Sequence, residues 1–318
     1  MDNPEVATRP DLAWTEIIDD ILLASIVETC ERNPDLAELA FLTGSYTRGL
    51  HNPDRPNVNA YLIAKPGRAA DLRLAAARNW ARIRERLSAL GIAFRVDCHP
   101  YTVAWRPEAD RGKPVLELTT KVLDGGQADS RFSLPPSIGI GWLGGYKVLW
   151  GEAALLDKLH LPDPLPSRTE WIASIHEALS HYRNVLDHLP NAVPVSQRPE
   201  VFAEEACFYA LEAIKDCISL SFGWDDLFAG NHLQVLLQKR EKEHLQAAGW
   251  SDMIEHKAAL KAAELRVFRG EVTSEAEAVQ IWRLALRVWD AAWARYRDWA
   301  AEELDGACPW LLRVNAFV

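Results

Sequence analysis

The segment Leu161-Pro-Asp-Pro-Leu-Pro166 separates two parts of the chain that have different hydrophobic patterns. Three prolines in six residues can neither pair within a sheet nor continue a helix, so this segment predicts a domain boundary. A chain of 318 residues is also longer than one hydrophobic core usually supports. We therefore predict two domains, residues 1–160 and residues 167–318.

The part before the prolines has the pattern of a small α+β domain. Apolar residues recur at helical spacing over residues 14–31, and again over residues 71–90 before Gly91. Short apolar runs predict strands at residues 39–43, 58–64, 92–98, 115–123 and 146–150. The glycine-rich stretch 124–145 predicts a loop, either a plain connector or a lid over a substrate. The expected architecture is a mixed sheet with flanking helices.

The part after the prolines has helical periodicity throughout and predicts a C-terminal helical bundle. Helices are expected near residues 168–189, 200–222, 226–247, 251–268 and 274–303, with N-caps at Ser167 and at Thr273 or Ser274. The last helix carries large residues three and four positions apart: Trp282, Leu286, Trp289, Trp293 and Tyr296. This stripe predicts a buried face, with a platform for stacking bases as the alternative.

Composition excludes several classes of protein. The formal net charge of −10 argues against non-specific binding to duplex nucleic acid or to an anionic membrane. No apolar run approaches the ~20 residues of a membrane-spanning helix, and Asp2, Glu5 and Arg9 occupy the place of a signal peptide's apolar core. Five widely spaced cysteines without a CxxC pair predict reduced, buried thiols. We expect a cytoplasmic protein.

The stretch most informative about chemistry is Phe41-Leu-Thr-Gly44-Ser45-Tyr-Thr-Arg48-Gly49, followed by Asn57-Val58-Asn59-Ala60. It resembles the signature of the polymerase-beta-like nucleotidyltransferase superfamily. That signature is an apolar strand, Gly, Gly or Ser, a loop, and then Asp, apolar, Asp or Glu. The resemblance covers about residues 36–160, and the helical half looks like the substrate-binding domains of small-molecule nucleotidyltransferases. It implies a nucleoside triphosphate, Mg²⁺ and a small-molecule substrate in an interdomain cleft.

The resemblance gives the turn and its neighbours a role in binding phosphate. Gly44 would let the backbone approach a triphosphate, and Ser45 would donate hydrogen bonds to its oxygens. Arg48 and Lys147 are candidates for pairing with the same phosphates. In the helical half, the resemblance implies that acidic and aromatic side chains line the cleft and bind the substrate, and the candidates are Glu204, Glu205 and Tyr209.

The catalytic metal site departs from the family pattern. Asn57 and Asn59 stand where the family has carboxylates, and the candidate for the third acidic residue, on a neighbouring strand, is Asp97. Glu117 is a candidate general base or replacement metal ligand. Amide oxygens bring no charge, so these residues predict weak binding of a single Mg²⁺ at most.

Several interpretations of the two asparagines stay open. The protein is a catalytically inactive binding protein for a nucleotide or a partner, a relative that runs a different reaction, or a variant engineered to lack the carboxylates. Outside the family resemblance, Gly44-Ser45 is a tight turn and the asparagines are polar residues facing a loop. Codons for Asp at positions 57 and 59 of the natural gene would restore the interpretation as an ordinary enzyme.

A second resemblance lies in the helical half. The residues from Arg183 to His188 match the R-x4-H motif of HEPN ribonucleases, including the polar residue after the arginine. In that family the two side chains bind and cleave an RNA phosphodiester. Ribonuclease activity is therefore the third functional hypothesis.

Overall fold

The structure is a computed structural model, and it describes residues 14–51, 56–97, 113–125, 146–155, 167–228, 234–236 and 238–304. Its architecture is α+β, as the sequence predicts, with a five-stranded mixed sheet followed by a helical region. The proline-rich segment 161–166 and most of the predicted loop 124–145 lie outside the described residues. The division at residues 160 and 167 therefore stays a prediction.

The N-terminal region contains all five strands in the order that the sequence predicts. Its elements are α1 (Trp14–Ile17), a π-helical segment (Ile18–Leu23), α2 (Ala24–Glu31), β1 (Ala37–Thr43), α3 (Gly44–Thr47), β2 (Asn57–Ala64), α4 (Ala69–Ala89), β3 (Ala93–Asp97), β4 (Val115–Asp124) and β5 (Lys147–Gly151). The spatial order is β3-β4-β2-β1-β5. Strand β1 is antiparallel to β2 and β5, whereas β4 is parallel to both β2 and β3.

The two faces of the sheet differ in what covers them. One face packs against the N-terminal helices, where Leu42, Val58 and Leu118 of the strands share a core with Ile26 and Ile83 of the helices. Side chains alternate along a strand, so the residues between them lie on the opposite face. That opposite face has an apolar end, built from Leu39, Phe41, Tyr61 and Ile63. Its other end is polar.

The helical region contains α5 (Arg168–Ala192), α6 (Pro199–Leu220), α7 (Trp224–Phe228), α8 (Glu241–Ala247), α9 (Ser251–Phe268) and α10 (Glu275–Leu304). The prediction of one helix over residues 226–247 is wrong. Lys239 adopts a left-handed backbone conformation with φ of 55°. It lies two residues before Glu241, where α8 begins. A left-handed residue cannot continue a right-handed helix, so periodicity alone missed the break.

The predicted N-caps are present. The Ser167 hydroxyl accepts a hydrogen bond from the Glu170 backbone N–H at 3.2 Å, and the Glu170 carboxylate accepts one from the Ser167 N–H at 2.6 Å. Ser274 accepts from the Glu277 N–H in the same way at 3.3 Å. These bonds satisfy amides that a helix start leaves unpaired, which is why α5 and α10 begin where they do.

The aromatic stripe of α10 packs into the core, as predicted. Trp289 and Tyr296 are buried, and three polar atoms of the stripe bond to backbone carbonyls of α5. Trp282 Nε1 donates to Leu186 O at 2.8 Å, Trp289 Nε1 to Leu179 O at 2.9 Å, and Tyr296 OH to Ile172 O at 3.2 Å. The donors follow one another at intervals of seven residues up α10, and their acceptors follow at intervals of seven residues down α5. These bonds therefore fix the register of the two antiparallel helices.

The described cysteines and helices agree with the composition. Cys30, Cys207 and Cys217 are buried free thiols, as predicted, while Cys98 and Cys308 lie outside the described residues. Burial raises the pKa of the Cys30 thiol to about 12, which keeps it protonated and unreactive at neutral pH. In the part of the chain that the structure describes, no helix is long and apolar enough to cross a membrane.

Candidate functional site

The Gly-Ser turn lies directly against strand β2. Thr43, the last residue of β1, pairs with Asn59, and the chain then turns at Gly44 with φ of 82°. A Cβ atom on Gly44 would lie 2.1 Å from the Asn59 side-chain nitrogen. Glycine is therefore required twice, by the backbone conformation and by the close approach of Asn59.

A first row of polar residues crosses the polar end of the sheet face opposite the N-terminal helices. Asn57 of β2 pairs with Glu117 of β4, and Glu117 pairs with Arg95 of β3. Residues paired across neighbouring strands lie on the same face, so the three side chains form one row. Glu117 is buried, with a relative exposure of 5%, and its carboxylate is 3.7 Å from the Arg95 guanidinium.

A second row follows two residues further along the strands. Asn59 pairs with Thr119, and Thr119 pairs with the backbone position of Asp97. The Asn57 amide joins the two rows, because its Nδ2 donates to the Thr119 hydroxyl at 3.0 Å. Gly44, both asparagines and the strand positions of Glu117 and Asp97 are thus brought together at one end of one sheet.

The strand order changes which acidic residue is nearest to the asparagines. In the sequence, Asp97 is the candidate for the third acidic residue, and Glu117 is the candidate general base or replacement metal ligand. Strand β4 lies between β2 and β3, so Glu117 is on the strand directly beside Asn57, and Asp97 is one strand further away. Chain order does not reveal this arrangement, because β3 follows β2 in the sequence whereas β4 is the strand that pairs with β2.

Arg95 connects the sheet to helix α6 and was not singled out by the sequence analysis. Its guanidinium is 2.7 Å from the Glu204 carboxylate and 3.8 Å from that of Glu205, in addition to its contact with Glu117. All three glutamates are buried. One basic and three acidic side chains therefore meet between the sheet and α6. The position of Arg95 two residues before Asp97 on an alternating strand was the available signal.

Tyr209 has a different place from the two glutamates. It is buried at 1% exposure, and its ring lies 6.0 Å from Tyr182, 6.2 Å from His181 and 5.1 Å from Phe208 between ring centroids. The structure thus assigns Tyr209 to an aromatic cluster between α5 and α6.

The two predicted basic phosphate ligands, Arg48 and Lys147, differ in their surroundings. Arg48 follows α3 and is half-buried, and burial lowers the pKa of its guanidinium. Lys147 pairs with Leu42, whose side chain belongs to the helix-covered face. The register thus puts Lys147 on the face opposite the asparagines. Strand alternation explains the difference, because a shift of one residue reverses the face.

Residues around the Gly-Ser turn add a feature that the motif does not contain. The His51 ring is 5.3 Å from the Tyr46 ring, and its buried Nδ1 has no hydrogen-bond partner among the described residues. Tyr46 in turn donates from its hydroxyl to Asp19 at 3.1 Å. Burial and this carboxylate raise the pKa of Tyr46 to about 12, so the phenol stays protonated. The turn is therefore anchored to the first helical segments.

The residues of the HEPN-like motif form structural contacts. Arg183 binds both Asp187 oxygens at 2.8 and 2.9 Å and Asp290 at 2.6 Å, and it lies over the Trp289 ring. His188 is exposed on the same helix. The guanidinium is thus already occupied by two carboxylates, and this joins α5 to α10.

The buried carboxyl of Asp216 should make the stability of the protein depend on pH. Its carboxyl accepts from the Tyr182 hydroxyl at 3.1 Å, and burial, together with Glu212, raises its pKa to about 7. The folded protein therefore holds a proton here that the unfolded chain loses near pH 4, so the stability contributed by this proton is lost as the pH rises toward 7. We expect Asp216→Asn to gain about 2 kcal/mol relative to wild type between pH 5 and pH 8.

Chemical denaturation across that pH range measures the effect. Asp298→Asn, at an exposed position of α10, is the matched control and should follow the wild-type profile. Parallel profiles for Asp216→Asn and wild type would contradict the prediction.

The described side chains at the asparagine end of this sheet face do not fit a two-magnesium site. Asn57 uses its amide to bond Thr119, Asn59 contacts Gly44, and Glu117 faces Arg95. Among the side chains that the structure describes there, two neutral amides and one carboxylate beside a guanidinium supply too little negative charge for two divalent cations. Among the described residues, no group of three or more His, Cys, Asp or Glu side chains is arranged to hold a metal ion.

Comparison with known proteins gives no assignment. No protein-family model, no curated protein sequence and no solved structure matches this chain. The site must therefore be interpreted from its own residues.

Proposed function

We propose that this chain is a nucleotidyltransferase-like protein that binds a nucleotide and a small molecule in the cleft between its sheet and helix α6, without two-metal catalysis. The observation that carries the proposal is the register that places Gly44, Asn57 and Asn59 together at one end of one sheet face. This turn and these two strand positions are where the superfamily holds triphosphate and metals. The rest of the cleft then decides the ligand and the chemistry.

The nucleotide side of the cleft consists of neutral donors. Ser45 is partly exposed immediately after Gly44, and the two asparagines carry amide groups that donate as well as accept hydrogen bonds. Amide and hydroxyl donors suit phosphate oxygens without a bridging cation, whereas carboxylates would repel them. The substitution of Asn for Asp therefore favours direct binding of phosphate at this position.

The opposite wall of the cleft favours a cationic small molecule. Glu204 and Glu205 on α6 and Glu117 on β4 place three carboxylates around the Arg95 guanidinium. A ligand with one or more amines would form charge-assisted hydrogen bonds with carboxylates of this wall. The cleft thus combines a donor-rich end for phosphate with an acidic wall for an amine.

Titration calorimetry with each nucleoside triphosphate, in the presence and absence of Mg²⁺, tests the proposal. We expect binding that does not require Mg²⁺, and about tenfold weaker binding for Ser45→Ala, since hydrogen bonds to charged groups are the stronger class. Ser88→Ala, at an exposed position of α4, is the matched control. Failure of all four triphosphates to bind would refute a nucleotide site.

A rescue variant tests whether only the carboxylates are missing. Asn57→Asp with Asn59→Asp should make triphosphate binding depend on Mg²⁺, with a gain of at least tenfold, because each carboxylate restores a charged metal ligand. Asn184→Asp with Asn191→Asp adds the same charge at exposed positions of α5 and should show no gain. A folded double variant without a Mg²⁺-dependent gain would mean that the cleft has diverged beyond its metal ligands.

A further inference from the structure

A cavity of about 190 Å³ lies between α2 and α4, in the helical layer that covers the sheet face opposite the asparagines. Its volume is far above the roughly 10–15 Å³ that one water needs. Three arginines line it, Arg32 at the end of α2 and Arg78 and Arg82 on α4. In a chain with a net charge of −10, this concentration of positive charge requires an explanation.

The charges around the cavity are not balanced within the protein. Arg32 pairs with Glu28 at 2.5 Å, and Glu28 is the one acidic residue of the lining. Arg78 and Arg82 are exposed, and neither forms an ion pair or a hydrogen bond with any residue that the structure describes. They are four residues apart and therefore one turn apart on the same side of α4. The lining carries a formal charge of +2.

The floor of the cavity is polar and rigid. Asn79 is buried, and its amide donates to Ser25 O at 2.5 Å and to the Thr29 hydroxyl at 2.6 Å. These bonds hold α4 against α2, so the spacing between the two helices that carry the arginines is fixed.

The end of α2 would ordinarily repel an anion, because a helix C-terminus presents unpaired carbonyls. Here those carbonyls are bonded. The Arg32 N–H donates to Glu28 O at 3.0 Å, the Asn33 side chain to Thr29 O at 2.7 Å, and the Asn33 N–H to Cys30 O at 3.0 Å. The negative end of the helix is thus partly neutralised next to the cavity.

We propose that this cavity binds the terminal phosphate monoester of a small molecule, with Arg78 and Arg82 as its principal ligands and Arg32 as the third. A phosphate monoester carries nearly two negative charges at pH 8, which matches the +2 lining. One guanidinium group can donate hydrogen bonds to two phosphate oxygens at once. A phosphodiester carries one negative charge and would leave half of the positive charge of the lining unbalanced. The net negative charge of the protein disfavours long polyanions.

Calorimetry with methyl phosphate at pH 8 and constant ionic strength tests this site, in a Ser45→Ala background that weakens the cleft. Arg78→Gln and Arg82→Gln should each weaken binding about tenfold. Arg86→Gln, on the same helix but outside the cavity lining, is the matched control and should change binding less than twofold. Dimethyl phosphate and an oligonucleotide without a terminal phosphate should bind at least tenfold more weakly than methyl phosphate.

Chemical footprinting locates the site independently of affinity. Methyl phosphate should slow modification of Arg78 and Arg82 by phenylglyoxal several-fold, measured by mass spectrometry, and leave Arg86 unchanged. Equal protection of all three arginines, equal loss of affinity in all three variants, or no binding of methyl phosphate would each overturn the proposal. Tighter binding of the oligonucleotide would overturn it in favour of a surface for nucleic acid.

Discussion

Replacing Arg95 by methionine should destabilise the protein by about 3 kcal/mol, the low end of the cost of removing one partner from a buried ion pair, because the glutamates are buried while the Arg95 side chain is 25% exposed. Methionine keeps most of the side-chain volume, so the loss reports on charge rather than on a cavity. Three buried glutamates contact this guanidinium, at distances of 2.7, 3.7 and 3.8 Å. Without it, Glu117, Glu204 and Glu205 lose a positive charge that they share.

Denaturant unfolding of a double-mutant cycle measures this effect. Glu204→Gln alone removes the nearest carboxylate, and the combination with Arg95→Met should cost less than the sum of the single changes, by at least 1 kcal/mol. Arg240→Met removes an exposed arginine that pairs with Glu243 at 2.7 Å, and should cost less than about 1 kcal/mol. If Arg95→Met costs no more than Arg240→Met, the cluster does not hold the sheet and α6 together.

Gly44→Ala should destabilise the protein by about 2–5 kcal/mol. The left-handed conformation at φ of 82° contributes about 1–2 kcal/mol for a residue with a Cβ. Displacement of Asn59, whose Nδ2 would be 2.1 Å from the new atom, adds about 1–3 kcal/mol of overpacking. Because Asn59 is a proposed ligand of phosphate, triphosphate binding should fall as well.

The controls separate the two causes. Gly49→Ala has a similar φ of 67° and no atom within 4 Å of its new Cβ, so it should show the conformational cost alone. Asn59→Ala removes the clashing nitrogen. In that background, Gly44→Ala should therefore cost only the conformational part of its free energy. Equal losses for Gly44→Ala and Gly49→Ala would show that Asn59 moves aside without cost.

Local patterns in the sequence determined the elements and most of their ends. Ser167, and Thr273 or Ser274, predicted helix starts because a capping hydroxyl satisfies an amide only three residues away, and the acceptors are Ser167 and Ser274. The stripe containing Trp289 and Tyr296 predicted a buried face because helical periodicity repeats within a few turns. The Gly44-Ser45 turn and the two asparagines were found for the same reason, since their spacing is short.

Tertiary structure alone decided which residues meet. The insertion of β4 between β2 and β3 put Glu117 beside Asn57, and the register of β5 put Lys147 on the opposite face. Arg95 contacts Glu204 across 109 positions of the chain, a partner that no spacing rule supplies. Strand pairing and helix packing depend on the whole core, and they bring distant charges together without leaving a local signal in the sequence.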